Sequence, residues 1–587
     1  MNHHCRAGRA SLRTLRQSIR CTKPSWGRSP IPYYPFSSSP VSKHPTHSYH
    51  NHRKLSTASH PGPSSKSNTE HDFFEHTMDR WVYNELKQRE LRSVKFNVAA
   101  LKEIATQAIG AKSCTRLTKI AEGSHNKIFH LTFDNDKEVI ARILCPILGP
   151  SMISQVIASE VATMDYCRSK FKLKIPRVLA WSRTVEDREA IGTDYIIMEK
   201  VDGVTLHSRN HSLIEELDTP LIDDLVDIEL SFKTVPFSQI GSIYYKEDVS
   251  PELQERRLYA DGVEDDEFSE RFRIGPVLDR VFWHGGRDAI AADRGPFQDF
   301  PSYLIALAKL EKAWWTRSRR DTSRTSPKDI ALALELFDKI IAAAPHLSAK
   351  TPELNEVVFW HSDLHTANIM ISSTGPAHVT GIIDWQNLST GPYFSKACLA
   401  DAMIYRGDLV EAEPILWIPC LLERYEELSP ERQKDAKAQL FLGHRLGRYE
   451  SRVYAADPLR RDAMFQNGRV QALLGKIPLS LQYGGLIQLR STLRDIHEYW
   501  KDYSEKIPCP FEVDESDPER LSDEFWAVIE YERAFEAMCR RLLALPDGSI
   551  EGGNFVERME QVRKEAEAWD DKLGPFPFRE GGPLITI

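Results

Sequence analysis

Oxygen-bearing side chains stand close together in a polar loop between two apolar segments of the chain. The loop runs from His361 to Asn368 and contains Asp363, and the segments before and after it read as strands. A third apolar segment, residues 379–383, ends at Asp384. Asp and Asn supply the hard oxygen ligands that Mg²⁺ prefers, and a carboxylate can accept a proton from a hydroxyl group. The spacing therefore predicts two acids and one amide that converge beside the ends of strands.

This set of side chains has the composition that transfer of a phosphoryl group to a hydroxyl requires. Such a transfer needs a carboxylate to orient or deprotonate the attacking hydroxyl, and oxygen ligands to hold a magnesium ion against the phosphates. We predict Asp363 as the base, and Asn368 and Asp384 as the ligands of Mg²⁺. His361 is predicted to brace the loop by hydrogen bonds, and His365 to act as a second brace or as a contact to the substrate.

Two other interpretations of the polar loop lead to different functions. The histidines and Asp363 could stand in a solvated turn between strands that has no chemical role. His361 and His365 are also four positions apart, a spacing at which two histidines on a helix can bind zinc. The residues between them do not follow the H-E-x-x-H pattern and the flanking segments read as strands, which disfavours zinc.

An earlier pair of strands has a turn that could cover a phosphate group. Residues 117–122 and 126–133 read as the two strands of a hairpin, with Gly123 and Ser124 in the polar turn between them. Small residues there would let backbone N–H groups approach phosphate oxygens closely. An ordinary hairpin without a ligand fits the same residues, because the turn contains a single glycine.

The next predicted strand, residues 138–144, carries Arg142 among apolar residues. A buried arginine needs an anionic partner. A phosphate group would serve, and so would Glu160 on a predicted helix over residues 156–167. We predict that Arg142 pairs with Glu160 and positions phosphates. The alternative is that Arg142 lies exposed on its strand.

Taken together, these segments resemble the aminoglycoside phosphotransferase family, which includes relatives of choline and homoserine kinases. Residues 361–368 match the kinase loop pattern H-x-D-L-x-x-x-N at every fixed position. Residues 274–297 are similar to a fungal branch of the family. The resemblance implies an α+β, two-lobed, protein-kinase-like fold with a β-rich first lobe and a mainly helical second lobe with insertions. It also implies ATP and Mg²⁺ as cofactors.

The resemblance assigns the apolar strand over residues 194–199 to the segment whose backbone holds adenine. The predicted cofactor-binding residues are therefore Gly123, Ser124, Arg142, Glu160 and Glu199. The predicted phosphoryl acceptor is a hydroxyl group of a small molecule, and no motif in the sequence identifies that molecule.

Three departures from the protein-kinase pattern narrow the prediction. Trp385 and Gln386 follow Asp384, where protein kinases have Phe and Gly. Arg142 takes the place of their lysine, and the turn of the first hairpin keeps only Gly123. These departures favour a small-molecule kinase, or a catalytically inactive relative that binds a nucleotide or a partner protein.

The first part of the chain differs in composition from the rest. Residues 1–69 contain eleven Lys or Arg and no Asp or Glu, and five arginines between Arg6 and Arg20 recur every three or four residues. A basic amphipathic segment without acids is typical of a mitochondrial presequence, because the membrane potential draws positive charge inwards. We predict recognition by the mitochondrial import machinery and a location in the matrix. A disordered basic tail, or one that binds nucleic acid, fits the composition alone.

The composition of the whole chain limits its partners. The chain has 587 residues and a net charge of −8, which gives no broad attraction to nucleic acid or anionic lipid. No apolar stretch approaches the length of about 18 residues that a membrane span needs. The nine cysteines are scattered and form no CxxC pair, so we predict reduced thiols.

We predict four parts in the chain. They are a presequence and linker (residues 1–70), a nucleotide-binding first lobe (71–200), a catalytic and substrate-binding second lobe with helical insertions (201–560), and a tail (561–587). Near the end of the second lobe, an amphipathic pattern predicts a helix over residues 523–543 with Ser522 as its N-cap. Residues from Gly574 onward are rich in Pro and Gly, and we expect them to lie on the surface.

Overall fold

The computed structural model describes most of the chain after residue 69. The described residues are 70–123, 125–145, 147, 150–210, 212–213, 215–318, 326–405, 407, 409–412, 419–422, 424–466, 468–480, 484–513, 518–551 and 555–579. The predicted presequence and linker lie outside this part except for Glu70, and Ser124 lies outside it as well. The described residues belong to one compact unit, Lys43–Ile587.

The first lobe is built on an antiparallel sheet of five strands. In spatial order, the strands are Cys114–Glu122, Asn126–Phe133, Glu138–Leu144, Tyr195–Glu199 and Val178–Trp181. Along the second strand Phe129, Leu131 and Phe133 are buried, because alternate side chains of a strand point to the same face. The first two strands form the predicted hairpin, called the first hairpin below, with Gly123 in its turn.

Two helices of this region contribute to different apolar cores. Helix Val98–Ile109 packs on the sheet, begins after the N-cap Asn97 and ends at Gly110, whose φ of 65° suits a helix terminus. Helix Pro150–Lys170, which carries Glu160, extends the prediction over residues 156–167 at both ends. Its apolar residues belong to the core of the second lobe. The position of Glu160 is therefore set by the second lobe.

The second lobe is mainly helical. Its longer helices are Glu215–Ser231, Phe300–Ser318, Pro327–Ala343, Pro430–Ala456, Pro458–Gln466, Gly468–Leu479, Gly485–Glu498, Pro518–Leu542 and Phe555–Ala568. The shorter helices of the described chain are Glu70–Phe74, Glu85–Arg92, Val185–Ile191, Leu206–Arg209, Pro251–Gln254, Glu267–Arg271 and Tyr393–Lys396. None of the helices in the described ranges combines the length and apolarity needed to cross a membrane.

Small antiparallel sheets stand where the second lobe meets the first. Strand Ile369–Ile371 pairs with Val379–Ile382 on one side and with Val204–Thr205 on the other. The further pairs are Val357–Phe359 with Thr390–Pro392, Ser242–Tyr245 with Phe272–Gly275, and Val410–Ala412 with Pro419–Leu421. A β-rich first lobe followed by a mainly helical second lobe confirms the predicted α+β class.

The end of the described chain departs from the prediction in two places. The penultimate long helix begins at Pro518, so Ser522 lies inside it and is not its N-cap. Proline is compatible with the first turn of a helix, because that turn has no acceptor for its missing N–H. The segment expected on the surface contains Phe578, which is buried against Tyr83, and strand Asp79–Trp81 pairs with Ser549–Glu551.

Three tryptophans lie in or against the core of the second lobe. Trp283 and Trp315 are buried, and Trp314 donates its ring N–H to the carbonyl of Gly285 at 2.8 Å. Their contacts indicate a role in packing.

Candidate active site

Internal hydrogen bonds fix the shape of the polar loop His361–Asn368. Nδ2 of Asn368 donates to the backbone carbonyl of Asp363 at 3.0 Å, and the backbone N–H of Asp363 donates to Nδ1 of His361 at 3.3 Å. Asn368 is buried, whereas the carboxylate of Asp363 remains partly exposed. These hydrogen bonds therefore fix the backbone of the loop, and the carboxylate of Asp363 lies at the surface of the loop.

A backbone hydrogen bond brings the second acid to the polar loop. The N–H of Ile383 donates to the carbonyl of Asn368 at 3.0 Å, and Asp384 follows directly. Asp384 has a φ of 64°, a left-handed conformation that is uncommon for a residue with a side chain and is often found at functional sites. Its Oδ1 atom is buried and accepts no hydrogen bond from any described residue. The structure thus brings Asp363, Asn368 and Asp384 together.

Arg142 lies between two carboxylates beside this group. It forms a buried ion pair with Glu160, and its Nη1 atom is 3.7 Å from Oδ1 of Asp384. Burial by itself lowers the pKa of Arg142, but the charges of Glu160 and Asp384 outweigh that effect and raise the pKa. Arg142 is therefore a permanent cation at the edge of the site, and it is not an exposed strand residue.

The two histidines of the polar loop both contact its backbone. The ring of His361 is buried edge-on against Trp385, with 4.8 Å between ring centroids. Burial lowers the pKa of His361 to about 4, although Asp363 opposes the shift. Nδ1 of His365 accepts the N–H of Ala367 at 3.1 Å, and its Nε2 is 3.9 Å from Oδ2 of Asp363. His361 is thus placed as a brace, and His365 lies next to the predicted base.

The turn of the first hairpin leaves space for a ligand but offers few donors. The N–H of Gly123 donates to the carbonyl of Asn126 at 2.9 Å, so this N–H is already engaged. A Cβ atom added to Gly123 would meet no other atom within 4 Å. Ser124, the other residue predicted there, lies outside the described residues.

Glu199 is engaged at the end of its strand in the five-stranded sheet. Its carboxylate is 3.0 Å from Nε of Arg177, and its N–H donates to the carbonyl of Arg177 at 3.0 Å. The structure does not bring its side chain to Asp363 or Asp384. The assignment of Glu199 to the cofactor stays a prediction.

The donor set suits Mg²⁺ better than a transition metal. Asn368 and Asp384 offer hard oxygen atoms, and Oδ1 of Asp384 is a buried acceptor without a hydrogen-bond donor. In the part of the chain that the structure describes, no group of three or more His, Cys, Asp or Glu side chains is arranged to hold a metal ion. Mg²⁺ often takes one or two protein ligands and completes its shell with water and phosphate oxygens. Two protein oxygens fit an ion that binds together with a triphosphate.

A contact that the sequence does not indicate joins the first hairpin to the segment after Asp384. Nδ2 of Asn126 donates to Oε1 of Gln386 at 3.1 Å, and both side chains are buried. The two residues are separated by 260 positions, so no local pattern could have predicted their contact.

A second contact comes from residues 276–296, which we call the strap. The ring of His284 lies 5.9 Å from the ring of His125 at the tip of the first hairpin. The strap also contains Arg280, whose pKa is lowered by burial, while the carboxylates of Asp363 and Asp384 oppose that shift. The sequence singled out this region only through its similarity to a fungal branch of a family, and no spacing marked Arg280.

The carboxylates of Asp363 and Asp384 both remain partly exposed, at 27% and 30%. The first hairpin contacts the strap and the segment after Asp384 beside them.

Known families and proteins show similarity to this chain. Residues 116–395 match a family model described as phosphotransferase enzyme family, and this range contains every site residue named above. A subtelomeric hrmA-associated cluster protein of Aspergillus fumigatus is 28% identical over 516 residues, which cover 78% of this chain and 95% of that protein.

Another relative has a mitochondrial name. The altered inheritance of mitochondria protein 9 of Yarrowia lipolytica is 27% identical over 344 residues, which cover 54% of this chain and 59% of that protein. This chain therefore spans less than two thirds of that relative. One solved structure, an aminoglycoside phosphotransferase with AMP-PNP and hygromycin B, aligns at a TM-score of 0.35 and 13% identity over 68% of this chain and 98% of that one.

Proposed function

Because residues 116–395 match a family model described as phosphotransferase enzyme family, we propose that this chain transfers a phosphoryl group from ATP to a hydroxyl group of a small molecule. The observation that carries the proposal is the convergence of Asp363, Asn368 and Asp384 beside a buried ion pair. A solvated turn would not tie these groups together through its backbone and bury a carboxylate oxygen without a donor.

Each residue of the site has a role in the proposed reaction. The acceptor oxygen bonds to the γ-phosphorus of ATP while the bond from that phosphorus to the β–γ bridging oxygen breaks, and ADP leaves with the electron pair. The hydroxyl proton passes to the carboxylate of Asp363. Asn368 and Asp384 would hold Mg²⁺, which when bound supplies positive charge beside the phosphate oxygens. Arg142, fixed by Glu160, would bind a phosphate oxygen of the nucleotide.

The first hairpin contacts the second lobe beside the site through the Asn126–Gln386 hydrogen bond and the His125–His284 ring contact. Movement of this hairpin would control the access of substrates, a common step in enzymes that exclude water from the reaction.

The activity is tested with purified protein, ATP, Mg²⁺ and a panel of hydroxylated metabolites, with phosphorylated product and ADP as readouts. We expect transfer to at least one acceptor, and we expect Asp363→Ala to reduce the rate by about 10²–10⁴, the usual contribution of a catalytic base. Asp261→Ala is the matched control, because the side chain of Asp261 is fully exposed and far from the polar loop in sequence. Equal rates for both variants would contradict the role of Asp363.

A second candidate function is nucleotide binding or regulation without turnover. It is favoured by the position of Arg142, whose guanidinium is 3.7 Å from Asp384 where a metal ion would bind, and by the engaged N–H of Gly123. Binding of ATP to the wild-type protein without ADP or a phosphorylated product, across the whole panel, would support this function.

We also propose that the chain acts in mitochondria. The name of the Yarrowia relative and the acid-free composition of residues 1–69 support this location. A fluorescent protein fused behind residues 1–70 should enter mitochondria in fungal cells and appear inside the inner membrane after fractionation. A cytosolic fusion protein would contradict the proposal.

A further inference from the structure

Gln386 stands where protein kinases have a glycine, two positions after the proposed metal ligand, and its side chain has a defined partner. Gln386 is buried, and its Oε1 accepts a hydrogen bond from Nδ2 of Asn126 at 3.1 Å. The preceding Trp385 is fixed in the core, because its ring N–H donates to the carbonyl of Ile382 at 3.0 Å and its ring stacks on Phe359. The residue that departs from the protein-kinase pattern therefore has a rigid neighbour and contacts the first lobe.

The backbone on both sides of Gln386 adopts a conformation that is uncommon for residues with a side chain. Asp384 has a φ of 64° and Asn387 a φ of 57°, both in the left-handed region. Such conformations persist where surrounding contacts enforce them, and the buried ring of Trp385 provides such contacts between the two positions. The segment from Asp384 to Asn387 therefore holds the proposed metal ligand and Gln386 in a fixed relation to each other.

Asn126 lies directly beside the turn of the first hairpin. Its carbonyl accepts the N–H of Gly123 at 2.9 Å, which closes the turn, and the carbonyl of His125 accepts the N–H of Cys145 at 2.7 Å. The side chain of Asn126 is buried, and its Oδ1 accepts no hydrogen bond from any residue that the structure describes. The bond to Gln386 thus holds this amide, and any shift of Asn126 shifts the turn that we predict to cover a phosphate.

Two side-chain pairs connect the sheet of the first lobe to the segment that begins at Asp384. Arg142 lies 3.7 Å from the carboxylate of Asp384, and this pair is charged, whereas the pair of Asn126 and Gln386 is neutral. Arg142 would have to share the carboxylate of Asp384 with a bound Mg²⁺, and the two cations repel each other. The amide pair carries no charge and does not depend on the metal. It is therefore the contact that keeps the hairpin turn close to Asp384 when a metal binds.

On the basis of the proposed phosphotransferase function, we propose that Asn126 and Gln386 are positioning residues that form a latch between the first hairpin and the segment of the metal ligand. The latch fixes the hairpin turn relative to Asp384, so that the phosphates of the nucleotide and Mg²⁺ bind together. Both residues act through the position of other groups and not by contact with the reacting atoms. A glycine at position 386, as in protein kinases, has no side chain that could form this bond.

The first experiment measures the latch in the protein without nucleotide, so it does not depend on activity. Hydrogen–deuterium exchange of residues 117–133 is compared between the wild-type protein and Gln386→Met, which keeps the length of the side chain but has no amide. We expect exchange at the hairpin turn to be at least about threefold faster, because the buried hydrogen bond no longer opposes opening. Asn126→Ala removes the donor and should have the same effect, so the result does not depend on one variant. Unchanged exchange in both variants would overturn the proposal.

Gln488→Met is the matched control for Gln386→Met. Gln488 is also a buried glutamine of the second lobe, and its Nε2 donates to the carboxylate of Glu532. It lies in helix Gly485–Glu498, which packs on other helices of that lobe. The variant should lower stability but leave hairpin exchange and nucleotide binding unchanged. Equal effects of the two Met variants on exchange and binding would mean that any loss of stability opens the hairpin, which would overturn the latch.

The second experiment is a double-mutant cycle on the binding of a non-hydrolysable ATP analogue with Mg²⁺, measured by titration calorimetry. Asn126→Ala and Gln386→Met should each weaken binding by about 3–10-fold, the usual contribution of one hydrogen bond. The double variant should bind no more weakly than the weaker single variant, because the two residues act through one contact. Effects that multiply in the double variant would show that the residues act separately and would contradict the latch.

Kinetics distinguish a positioning role from a loss of folded protein. With an acceptor that is phosphorylated, Gln386→Met should raise the KM for ATP by about 3–10-fold and leave the KM for the acceptor unchanged, since only the nucleotide side is affected. A fall in kcat with both KM values constant would show that Gln386 only stabilises the fold and would overturn the proposal.

The failure of the latch and the failure of the proposed function give different results. If the wild-type protein phosphorylates no acceptor and forms no ADP, phosphoryl transfer is contradicted, and the exchange and binding measurements still decide on the latch. Faster exchange together with weaker, non-additive binding in the variants supports it. A wild-type protein that does not bind the nucleotide with Mg²⁺, or variants that bind it equally well, would overturn it.

Discussion

The chemistry of single residues in the site depends on a guanidinium held between two carboxylates. Arg142 contacts Glu160 and lies 3.7 Å from Asp384. Removing one member of a buried pair leaves the other without a partner, which costs far more than the pair contributes as a whole. Arg142 therefore supports both the folded state and the geometry of the site.

The variant Arg142→Met tests this dependence. It leaves the carboxylate of Glu160 buried and unpaired, and we expect a loss of about 3–5 kcal/mol in the free energy of unfolding. The double variant with Glu160→Met should recover most of that loss. Arg563→Ala, which removes an exposed pair with Glu560, should cost no more than about 1 kcal/mol. Chemical denaturation measures the three variants and the wild-type protein, and equal stability of the single and double Met variants would contradict the role of the unpaired charge.

A second residue-scale prediction concerns the buried ring of His361. Its pKa is lowered from 6.5 to about 4, so the unfolded chain takes up a proton in this pH range and the folded protein does not. The stabilising effect is present above pH 6.5 and is lost as the pH falls toward 4, by at most about 1.4 kcal/mol per pH unit.

His361→Asn, which keeps an acceptor but cannot titrate there, should make the unfolding midpoint less dependent on pH between 6.5 and 4.5. The midpoint is measured by circular dichroism in buffers of equal ionic strength. The same steepness in both proteins would show that His361 does not contribute.

At the scale of elements, the site is assembled where small sheets and loops of the second lobe touch the first. The turn after strand Tyr195–Glu199 leads to strand Val204–Thr205, which pairs with Ile369–Ile371 at the end of the polar loop. Gly203 in this turn has a φ of 105° and packs against the carbonyl of Ile371. Gly203 thus belongs to the connection between the lobes and also packs against the strand that supports the polar loop.

Gly203→Ala tests this junction. The left-handed backbone conformation alone costs an alanine about 1–2 kcal/mol, and a Cβ atom at this position would collide with the carbonyl oxygen of Ile371. Gly262→Ala is the matched control, because Gly262 has a φ of 86° and no atom within 4 Å of an added Cβ. We expect thermal melting to show an additional loss of about 1–3 kcal/mol for Gly203→Ala, the usual range for overpacking. Equal losses would mean that the turn adjusts freely.

On the scale of the whole molecule, the two ends of the described chain meet. Strand Asp79–Trp81 pairs with Ser549–Glu551, and Tyr83 stacks on Phe578 with 5.5 Å between ring centroids. Together with helix Pro518–Leu542 these residues form a separate apolar cluster. The cluster ties the start of the first lobe to the last helices of the second.

Phe578→Ala measures how much this closure contributes. The ring is buried against Tyr83 and Phe535, and its removal should cost about 3–5 kcal/mol, as for other buried aromatic residues. Val556→Ala is the control, since Val556 is 83% exposed and its loss should change stability by less than about 0.5 kcal/mol. A similar small effect of both variants in thermal melting would show that the end of the chain packs only loosely.

Features that depend on residues close together in the sequence could be predicted, and features that depend on distant residues could not. The first hairpin, the strand with Arg142 and the strands around the polar loop were predicted because apolar alternation and polar turns act between near neighbours. The start of the helix from Pro518 was predicted wrongly, and the burial of Phe578 was not predicted for the segment after Gly574. Both features depend on contacts with residues that are distant in the sequence, and local patterns do not record such contacts.

The sequence by itself determined the α+β class and the polar loop, and it was enough to single out Asp363, Asn368 and Asp384 as candidate oxygen donors. Their order and spacing are local properties, and strands that end together bring such residues together. Only the tertiary structure decided that Arg142 lies beside Asp384 and that Asn126 bonds to Gln386 across 260 positions. These contacts arise from the way separate cores pack, and packing depends on shape complementarity between distant segments that no spacing records.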